Sequence, residues 1–183
     1  MRKKLIIILI FFFVVFLFPK KIRGNNNKVA GSSAKISVLK DNNRNISNFT
    51  KKLVIKRILY KYNSPLIEAA DSFIDVCTKY NLDCYLLPSI SGIESTFGHF
   101  IYPNSYNPFG WGGGYITFKD WSEGIEIVGK GLKKNYLDKG AVDLYQIGKI
   151  YAPPSTTWAY KVDFFRKEFY NEESKINELA RIF

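Results

Sequence analysis

The chain has 183 residues, a length that suits one domain with additional segments. Its apolar content of 46% is enough for a hydrophobic core, and 16% of its residues are aromatic. The formal net charge is +11, but six basic residues lie in the first 24 positions, which leaves +5 for the rest of the chain. Such a surplus fits a charged soluble surface or attraction to an anionic polymer or membrane. A nucleic-acid partner is not expected, because no basic helical stripe or RNA-binding motif is visible.

The N-terminus has the pattern of an export signal. An unbroken apolar run at 5–18 follows three basic residues. Its 14 residues fall short of the roughly 20 that cross a bilayer, and a basic stretch without a nearby small-residue cleavage site follows it. Residues 1–24 are therefore predicted to be a signal peptide or a short signal anchor, with a buried core helix as the alternative. We expect an extracytoplasmic protein, either secreted or tethered to the membrane by this segment.

Residues 25–47 are rich in Lys, Asn, Ser and Gly, which predicts a flexible linker before a domain at 48–183. In that domain, a short amphipathic helix is expected to end near Tyr62, with its apolar side formed by Phe49, Leu53, Ile55, Ile58 and Leu59. Ser64 followed by Pro65 is a helix start signal. The apolar spacing after it predicts a second helix that ends near Asn81.

Two cysteines, Cys77 and Cys84, lie close to the end of that second helix. On one continuous helix they would be about 10 Å apart, which is too far for a disulfide. Residues 81–83 read as a turn, however, so the two side chains can meet there. In an exported protein this predicts a disulfide, with two buried free thiols as the alternative. A metal site is not expected, because His99 is the only histidine and no third cysteine is present.

The remaining elements are predicted to be a helix at 84–97 closed by Gly98, and an irregular glycine-rich stretch at 99–119 with a short strand at 115–118. Asp120 is expected to cap a helix that runs to about Leu137. A short helix at 142–151 stops before two prolines, and the last helix starts at Thr156 or Thr157. The predicted class is mainly α, a helical bundle with a small irregular or β lobe.

Glu94 is the residue with the clearest chemical interest. It lies near the end of the 84–97 helix, and nine aromatic residues occur between positions 97 and 121. Apolar surroundings raise the pKa of a carboxyl group, so that it keeps its proton near neutral pH. A general acid in glycosidic cleavage needs that property, and aromatic faces stack on sugar rings. The alternative is a solvated Glu beside aromatics that form the core of a small lobe.

Four sequence blocks in the range 64–168 support the first interpretation. Residues 90–98 (ISGIESTFG) closely resemble the catalytic-Glu motif of the lysozyme-like superfamily. Residues 104–112 (NSYNPFGWG), 118–125 (FKDWSEGI) and 151–159 (YAPPSTTWA) are similar to successive motifs of the bacterial endo-β-N-acetylglucosaminidase family, the mannosyl-glycoprotein endo-β-N-acetylglucosaminidase-like group. The order of the blocks along the chain also matches.

The resemblance implies a lysozyme-like α+β fold and cleavage of β-1,4 links in peptidoglycan or a related N-acetylglucosamine-containing glycan. Glu94 matches the position of the family's general acid. No cofactor is implied, and a monomer is expected. The positions that would line the groove or face it across the cleft are Tyr106, Asn107, Phe109, Gly110, Trp111, Tyr151 and Trp158.

One departure from the family concerns the second carboxylate, which its members often carry in the lobe after the catalytic Glu. Residues 95–119 contain no Asp or Glu, and the next acids, Asp120 and Glu123, occupy helix-capping positions. The mechanism is therefore open between hydrolysis assisted by the substrate's acetamido group and lytic transglycosylation. The absence of the G-L-M-Q block of transglycosylases favours hydrolysis. A non-catalytic glycan-binding module and a membrane-tethered interaction domain are further alternatives.

Overall fold

The computed structural model describes residues 29–182, and all regular secondary structure in that range is helical. The α-helices are α1 (Val29–Lys61), α2 (Ala70–Tyr80), α3 (Leu86–Ser95), α4 (Trp121–Asn135), α5 (Leu144–Tyr151) and α6 (Trp158–Ile182). Short 3-10 helices cover Pro65–Ala69 and Leu137–Lys139. The mainly α class is therefore confirmed, whereas the strand predicted at 115–118 is absent and those residues form irregular structure.

The chain divides after Asp41 into two units, and the compact one comprises Asn42–Phe183. In the other unit, the described residues 29–41 are helical. The predicted linker at 25–47 overlaps α1, which begins at Val29, and its flexibility stays a prediction. That stretch has no proline and a single glycine, and a helix extends into such a sequence without a new nucleation step. Residues 25–28 and the predicted signal at 1–24 lie outside the described range. None of the helices within that range is both long and apolar enough for a membrane span.

The compact unit begins with the second half of α1, whose buried side consists of Val54, Ile55, Ile58 and Leu59. Phe49, which the sequence placed on the same side, is exposed, and Leu53 is partly exposed. The error arises because apolar residues occur all around this helix, so that periodicity alone could not decide which side is buried.

Local start signals are formed as the sequence predicts. The Ser64 hydroxyl accepts a hydrogen bond from the Leu66 amide at 3.0 Å and donates one to the Phe97 carbonyl at 2.7 Å. It therefore caps the Pro65–Ala69 helix and also ties it to the end of α3. Asp120 caps α4 by accepting a hydrogen bond from the Glu123 amide at 2.8 Å.

The turn after α2 brings the two cysteines together. Asn81 ends α2 in the left-handed conformation, with a φ of 51°, which reverses the chain before α3. Cys77 and Cys84 form a disulfide with a Cα–Cα distance of 4.9 Å. The turn at 81–83 is what makes this bond geometrically possible, because a continuous helix would keep the two residues apart.

Helix α3 is the most deeply buried element, and it packs against α6, while α2 packs against α4 and α5 against α6. Gly92 lets the rings of Phe97 and Phe165 approach, since a methyl group at its Cα would lie 2.8 Å from Phe97 and 3.1 Å from Phe165. The helix ends at Ser95, earlier than the predicted end at residue 97 with Gly98 as the closing residue, because Thr96 and Phe97 both take positive φ angles, 51° and 55°. Glu94 therefore lies in the last turn of a buried helix.

Candidate active site

Helices α3 and α6 bring together two polar side chains that are far apart in the sequence. Glu94 is half-buried in the last turn of α3, and Trp158 is the first residue of α6. The indole Nε1 of Trp158 donates a hydrogen bond of 2.7 Å to Oε1 of Glu94. Because Trp158 is itself buried at the contact between α6 and the body of the protein, this bond fixes the orientation of the carboxyl group.

The pKa of Glu94 is raised above its ordinary value of 4.5, chiefly because burial disfavours the charged carboxylate. The hydrogen bond from Trp158 acts in the opposite direction and lowers the pKa, since it stabilises the charged form. Burial is the larger of the two effects. The carboxyl group is thus held in one position and keeps its proton to a higher pH than a solvated Glu.

The second oxygen of Glu94 faces the glycine-rich loop. A methyl group at the Cα of Gly110 would lie 3.2 Å from Oε2, and Gly110 has a φ of +60°. Both observations favour glycine here, because a side chain would crowd the carboxyl group and would strain the backbone. Gly110 therefore keeps the approach to Oε2 open.

Tyr151 lies beside this pair and is itself held in place. Its ring stacks on Trp158 at a centroid distance of 5.0 Å, and its hydroxyl donates a hydrogen bond of 2.5 Å to the carbonyl of Phe109. Burial raises the pKa of Tyr151 well above its ordinary value, and the charge of Glu94 raises it further. The phenol therefore stays protonated and keeps its hydrogen bond to the Phe109 carbonyl.

An open cleft of about 270 Å³ borders Tyr151 and the loop. It is lined by three glycines and three aromatic residues: Gly110, Trp111, Gly112, Gly113, Tyr136 and Tyr151. Trp111 lies 6.1 Å from Tyr136 and 5.8 Å from Tyr151 between ring centroids. Sequence reasoning missed Tyr136, since it follows α4 in a stretch with no site-like pattern. Its aromatic type was the only available signal.

Two residues expected to line the groove have a different place. Asn107 is buried, and its side-chain amide donates to the carbonyls of Trp111 and Ile116 at 2.9 and 3.0 Å while its oxygen accepts from the Trp111 amide at 3.0 Å. The Phe109 ring is fully buried in the core, and only its carbonyl faces Tyr151. Asn107 therefore holds the loop by hydrogen bonds, and Phe109 anchors it to the core, so neither side chain lines the groove. This correction has a physical reason, because an irregular loop without strands needs side-chain partners for its backbone groups.

The other predicted site residues divide between the two sides of the loop. Gly110, Trp111 and Tyr151 line the cleft, and Trp158 lies behind it. Tyr106 is partly exposed, has a φ of 48°, and packs edge-on against Trp121 at 5.0 Å. It is not part of the cleft that Tyr151 borders.

The acidic residues after the loop have structural partners. Glu123 accepts a hydrogen bond from the Lys119 amide at 2.5 Å, and its own amide is bonded to Asp120. Both acids therefore satisfy backbone amides at the start of α4, Asp120 as the N-cap and Glu123 through the residue before it. Within residues 29–182, no group of three His, Cys, Asp or Glu side chains is arranged to hold a metal ion. Glu94 does not itself line the cleft, but its Oε2 lies next to Gly110, which does.

No protein-family model matches the sequence, and the comparison with curated proteins finds no match either.

Proposed function

We propose that this protein is a glycoside hydrolase of the lysozyme-like type, which cleaves β-1,4 links of an N-acetylated cell-wall glycan with Glu94 as its general acid. The observation that carries the proposal is the Glu94 carboxyl group itself. It is held by Trp158 at 2.7 Å, and burial raises its pKa. A general acid has to be protonated at the working pH and must point at the leaving oxygen.

The cleft supports a sugar polymer as the substrate. Trp111, Tyr136 and Tyr151 offer aromatic surfaces, and the adjoining glycines leave backbone groups accessible. Aromatic side chains combine an apolar face with a polar edge, which suits a sugar ring with its hydroxyl groups. The cleft is open to solvent, so a glycan can reach it from the surface. The resemblance of residues 90–98 to the catalytic-Glu motif of lysozyme-like enzymes adds support from the sequence.

In the proposed reaction, Glu94 donates its proton to the glycosidic oxygen as the bond to the anomeric carbon breaks. The oxocarbenium-like centre is then attacked either by water or first by the acetamido oxygen of the same sugar, followed by water. Glu94, now ionised, accepts the proton of the attacking water. The indole N–H of Trp158, which donates to Oε1, stabilises the negative charge on Glu94 after the proton has left.

The product distinguishes this reaction from that of a lytic transglycosylase, in which an internal hydroxyl replaces water. Full-length protein should be incubated with purified peptidoglycan, and the released fragments should be analysed by mass spectrometry. Hydrolysis gives fragments with a free reducing end, whereas an anhydro product is lighter by one water. Borohydride reduction then identifies the sugar at the reducing end and hence the bond that was cut.

Glu94→Gln is the decisive variant, because the amide keeps the shape and cannot donate the proton. We expect it to lose cleavage by about 100-fold or more, the size usual for a general acid. Glu68→Gln, an exposed carboxyl in the Pro65–Ala69 helix, is the matched control and should cleave as fast as the parent. Equal rates for Glu94→Gln and the parent would reject the proposal. Binding to insoluble wall without any cleavage would instead identify a glycan-binding module.

We also propose that the protein works outside the cytoplasm, either secreted or tethered to the membrane by residues 1–24, and acts there as a monomer without a cofactor. The apolar run at 5–18 with its flanking basic residues supports this.

A further inference from the structure

The part of α1 in the compact unit has an apolar stripe on the side that faces away from the core. Ile46, Phe49, Leu53 and Tyr60 are spaced by three, four and seven residues, which places them on one side of a helix. Their exposed fractions are 65%, 69%, 37% and 75%. The buried residues Val54, Ile55, Ile58 and Leu59 occupy the opposite side. The same helix therefore packs on the protein with one face and presents a second apolar face to its surroundings. We call this second face the outer stripe.

The outer stripe continues into a shallow groove of about 470 Å³, lined by Lys56, Arg57, Tyr60 and Ile67. The groove wall is largely apolar carbon with two basic groups at its rim. Exposed apolar surface of this kind usually marks a contact with another molecule or with lipid.

Charge indicates which kind of partner suits the outer stripe. Residues 42–61 contain six basic side chains and no acidic one. Three of them pair with acids of the compact unit: Lys52 with Asp71, Arg57 with Glu172 at 3.1 Å, and Lys61 with Glu168 at 2.6 Å. Lys56 is exposed within the outer stripe itself. An apolar stripe flanked by basic side chains is the pattern of a helix that lies in the interface of an anionic membrane.

The position of the stripe in the chain agrees with that partner. Only 23 residues separate the apolar run at 5–18 from the start of the compact unit at Asn42. Even fully extended, a chain of that length spans at most about 80 Å. If residues 5–18 occupy the membrane, as proposed above, the compact unit stays near the lipid surface. This step rests on the proposed membrane targeting, and it is independent of the chemistry of Glu94.

A second copy of the chain is a poorer partner for the same surface. In a symmetric pairing along the outer stripe, the basic side chains of one copy would approach those of the other. Like charges brought together in a contact oppose association. Anionic lipid headgroups, by contrast, neutralise Lys56 while the acyl region accepts Ile46, Phe49 and Leu53.

We propose that the outer stripe of α1, formed by Ile46, Phe49, Leu53, Tyr60 and Lys56, docks the compact unit on an anionic lipid surface. The helix lies in the plane of the interface, with its apolar side chains inserted at the level of the headgroups. The opposite, buried side of α1 packs on the rest of the compact unit, which then lies on the aqueous side of the interface. The outer stripe is then a second membrane contact besides residues 1–24. It fixes the orientation of the compact unit on the membrane, whereas residues 1–24 only tether it.

The test uses a chain of residues 25–183, so that the apolar run cannot itself bind lipid. The buried apolar core of the described residues lies entirely between Val54 and Phe169, so the shortened chain keeps all of it. Sedimentation should measure its binding to vesicles of phosphatidylcholine alone and to vesicles with equal parts of phosphatidylcholine and phosphatidylglycerol. We expect clear binding to the second kind and weak binding to the first.

The triple variant Ile46→Gln, Phe49→Gln and Leu53→Gln should bind the anionic vesicles about 1,000-fold more weakly, because each of the three inserted apolar side chains contributes a factor of about ten. Glutamine keeps the helix propensity. The matched control replaces three exposed apolar residues elsewhere with Gln, namely Val142, Tyr145 and Ile150. It should bind like the parent. Lys56→Glu should weaken binding to the anionic vesicles and leave the weak binding to neutral ones unchanged.

Three results would overturn the proposal. The first is equal binding of the parent and the triple variant, and the second is an equal loss of binding in the control. The third is a dimer of the parent chain, seen by light scattering in the absence of vesicles, that becomes a monomer in the triple variant. Circular dichroism of both triple variants checks that the helices are retained. The readout is lipid binding alone, so its failure is distinct from a failure of the proposed glycan cleavage.

Discussion

The Nε1 atom of Trp158 and the Oε1 atom of Glu94 lie 2.7 Å apart, although 64 residues separate them in the chain. This bond links the last turn of α3 to the first residue of α6. It holds the carboxyl group in place and also lowers its pKa against the effect of burial. Position and protonation of the proposed general acid therefore depend on the same partner.

Trp158→Phe tests that dependence. The substitution keeps an aromatic ring beside Tyr151 and removes the hydrogen bond, so the pKa of Glu94 should rise. We expect the high-pH limb of the proposed cleavage to move to higher pH, because the acid keeps its proton longer. The maximal rate should fall by about tenfold to 100-fold, since the carboxyl group loses its fixed orientation.

The pH dependence of the rate separates this positioning role from a merely structural one. A variant that is only less stable would lose rate at all pH values without moving the limb. A titration of Glu94 followed by NMR in the parent and in Trp158→Phe gives the same comparison without any activity. An unchanged pKa would contradict the role assigned to the indole.

Gly110→Ala tests the open approach to Oε2. The new methyl group would lie 3.2 Å from that oxygen, and the backbone would be strained at a φ of +60°. Gly114 has a φ of +84° and nothing within 4 Å of a methyl group at its Cα. Gly114→Ala is thus a control with similar backbone strain and no contact with Glu94.

Both glycine variants should lose about 1 kcal/mol of stability, the usual size for alanine at a positive φ. Only Gly110→Ala should reduce the rate of glycan cleavage, by about tenfold or more, because it alone crowds the acid. Thermal unfolding and initial cleavage rates, measured on the same samples, compare the stability and the activity of the two variants. If both variants cleave equally well, steric access to Oε2 is unimportant.

Glu94→Gln should stabilise the folded protein at neutral pH, by on the order of 1 kcal/mol, as is common when a functional residue is replaced by a neutral one. Burial raises the folded-state pKa of Glu94 above the ordinary 4.5. The protonated group is therefore well accommodated at low pH, and stability falls as pH rises through the folded-state pKa. Urea unfolding of the parent and the variant at several pH values measures how the free energy of unfolding of each depends on pH.

The difference in unfolding free energy between Glu94→Gln and the parent should shrink as pH falls below 4.5, because both side chains are then neutral. A difference that stays constant across the pH range would mean that burial of the charge has no part in it. Glu68→Gln, on an exposed carboxyl, should show no comparable pH dependence.

Asn107→Ala removes three hydrogen bonds that hold the loop, to Trp111 and Ile116. We expect a loss of about 2–4 kcal/mol, since each bond contributes roughly 0.5–1.5 kcal/mol and buried backbone groups lose their partners. Asn171→Ala, at an exposed position on α6, should change stability little. Hydrogen exchange of the Trp111 amide should increase in Asn107→Ala, and an unchanged rate would contradict the bracing role.

The segments from Asn48 onward show which features the sequence could predict. The helix starts at Ser64 and Asp120 depend on a side chain and an amide two or three residues away, so short stretches contain all the necessary information. The turn between Cys77 and Cys84 is equally local. The mainly α class follows from apolar spacings of three and four residues, which are also local.

The sequence did not determine how the loop at 99–119 folds or which aromatic residues face the cleft. Residues 115–118 form no strand, and the Ile116 carbonyl accepts a hydrogen bond from the Asn107 side chain instead. Phe109 turns into the core, and Tyr136 reaches the cleft from the end of α4. These outcomes depend on which surfaces the other helices leave free, and a pattern within the loop cannot show that.

By itself, the sequence determined the helices from Asn48 onward, their local caps, the cysteine turn and the motif around Glu94, because each depends on residues that are neighbours in the chain. Only the tertiary structure decided that Trp158 holds Glu94, that Gly110 lies against its second oxygen, and that Ile46, Phe49 and Leu53 point away from the core. Those relationships arise when distant helices pack, and packing selects among faces and partners that local patterns leave equally possible.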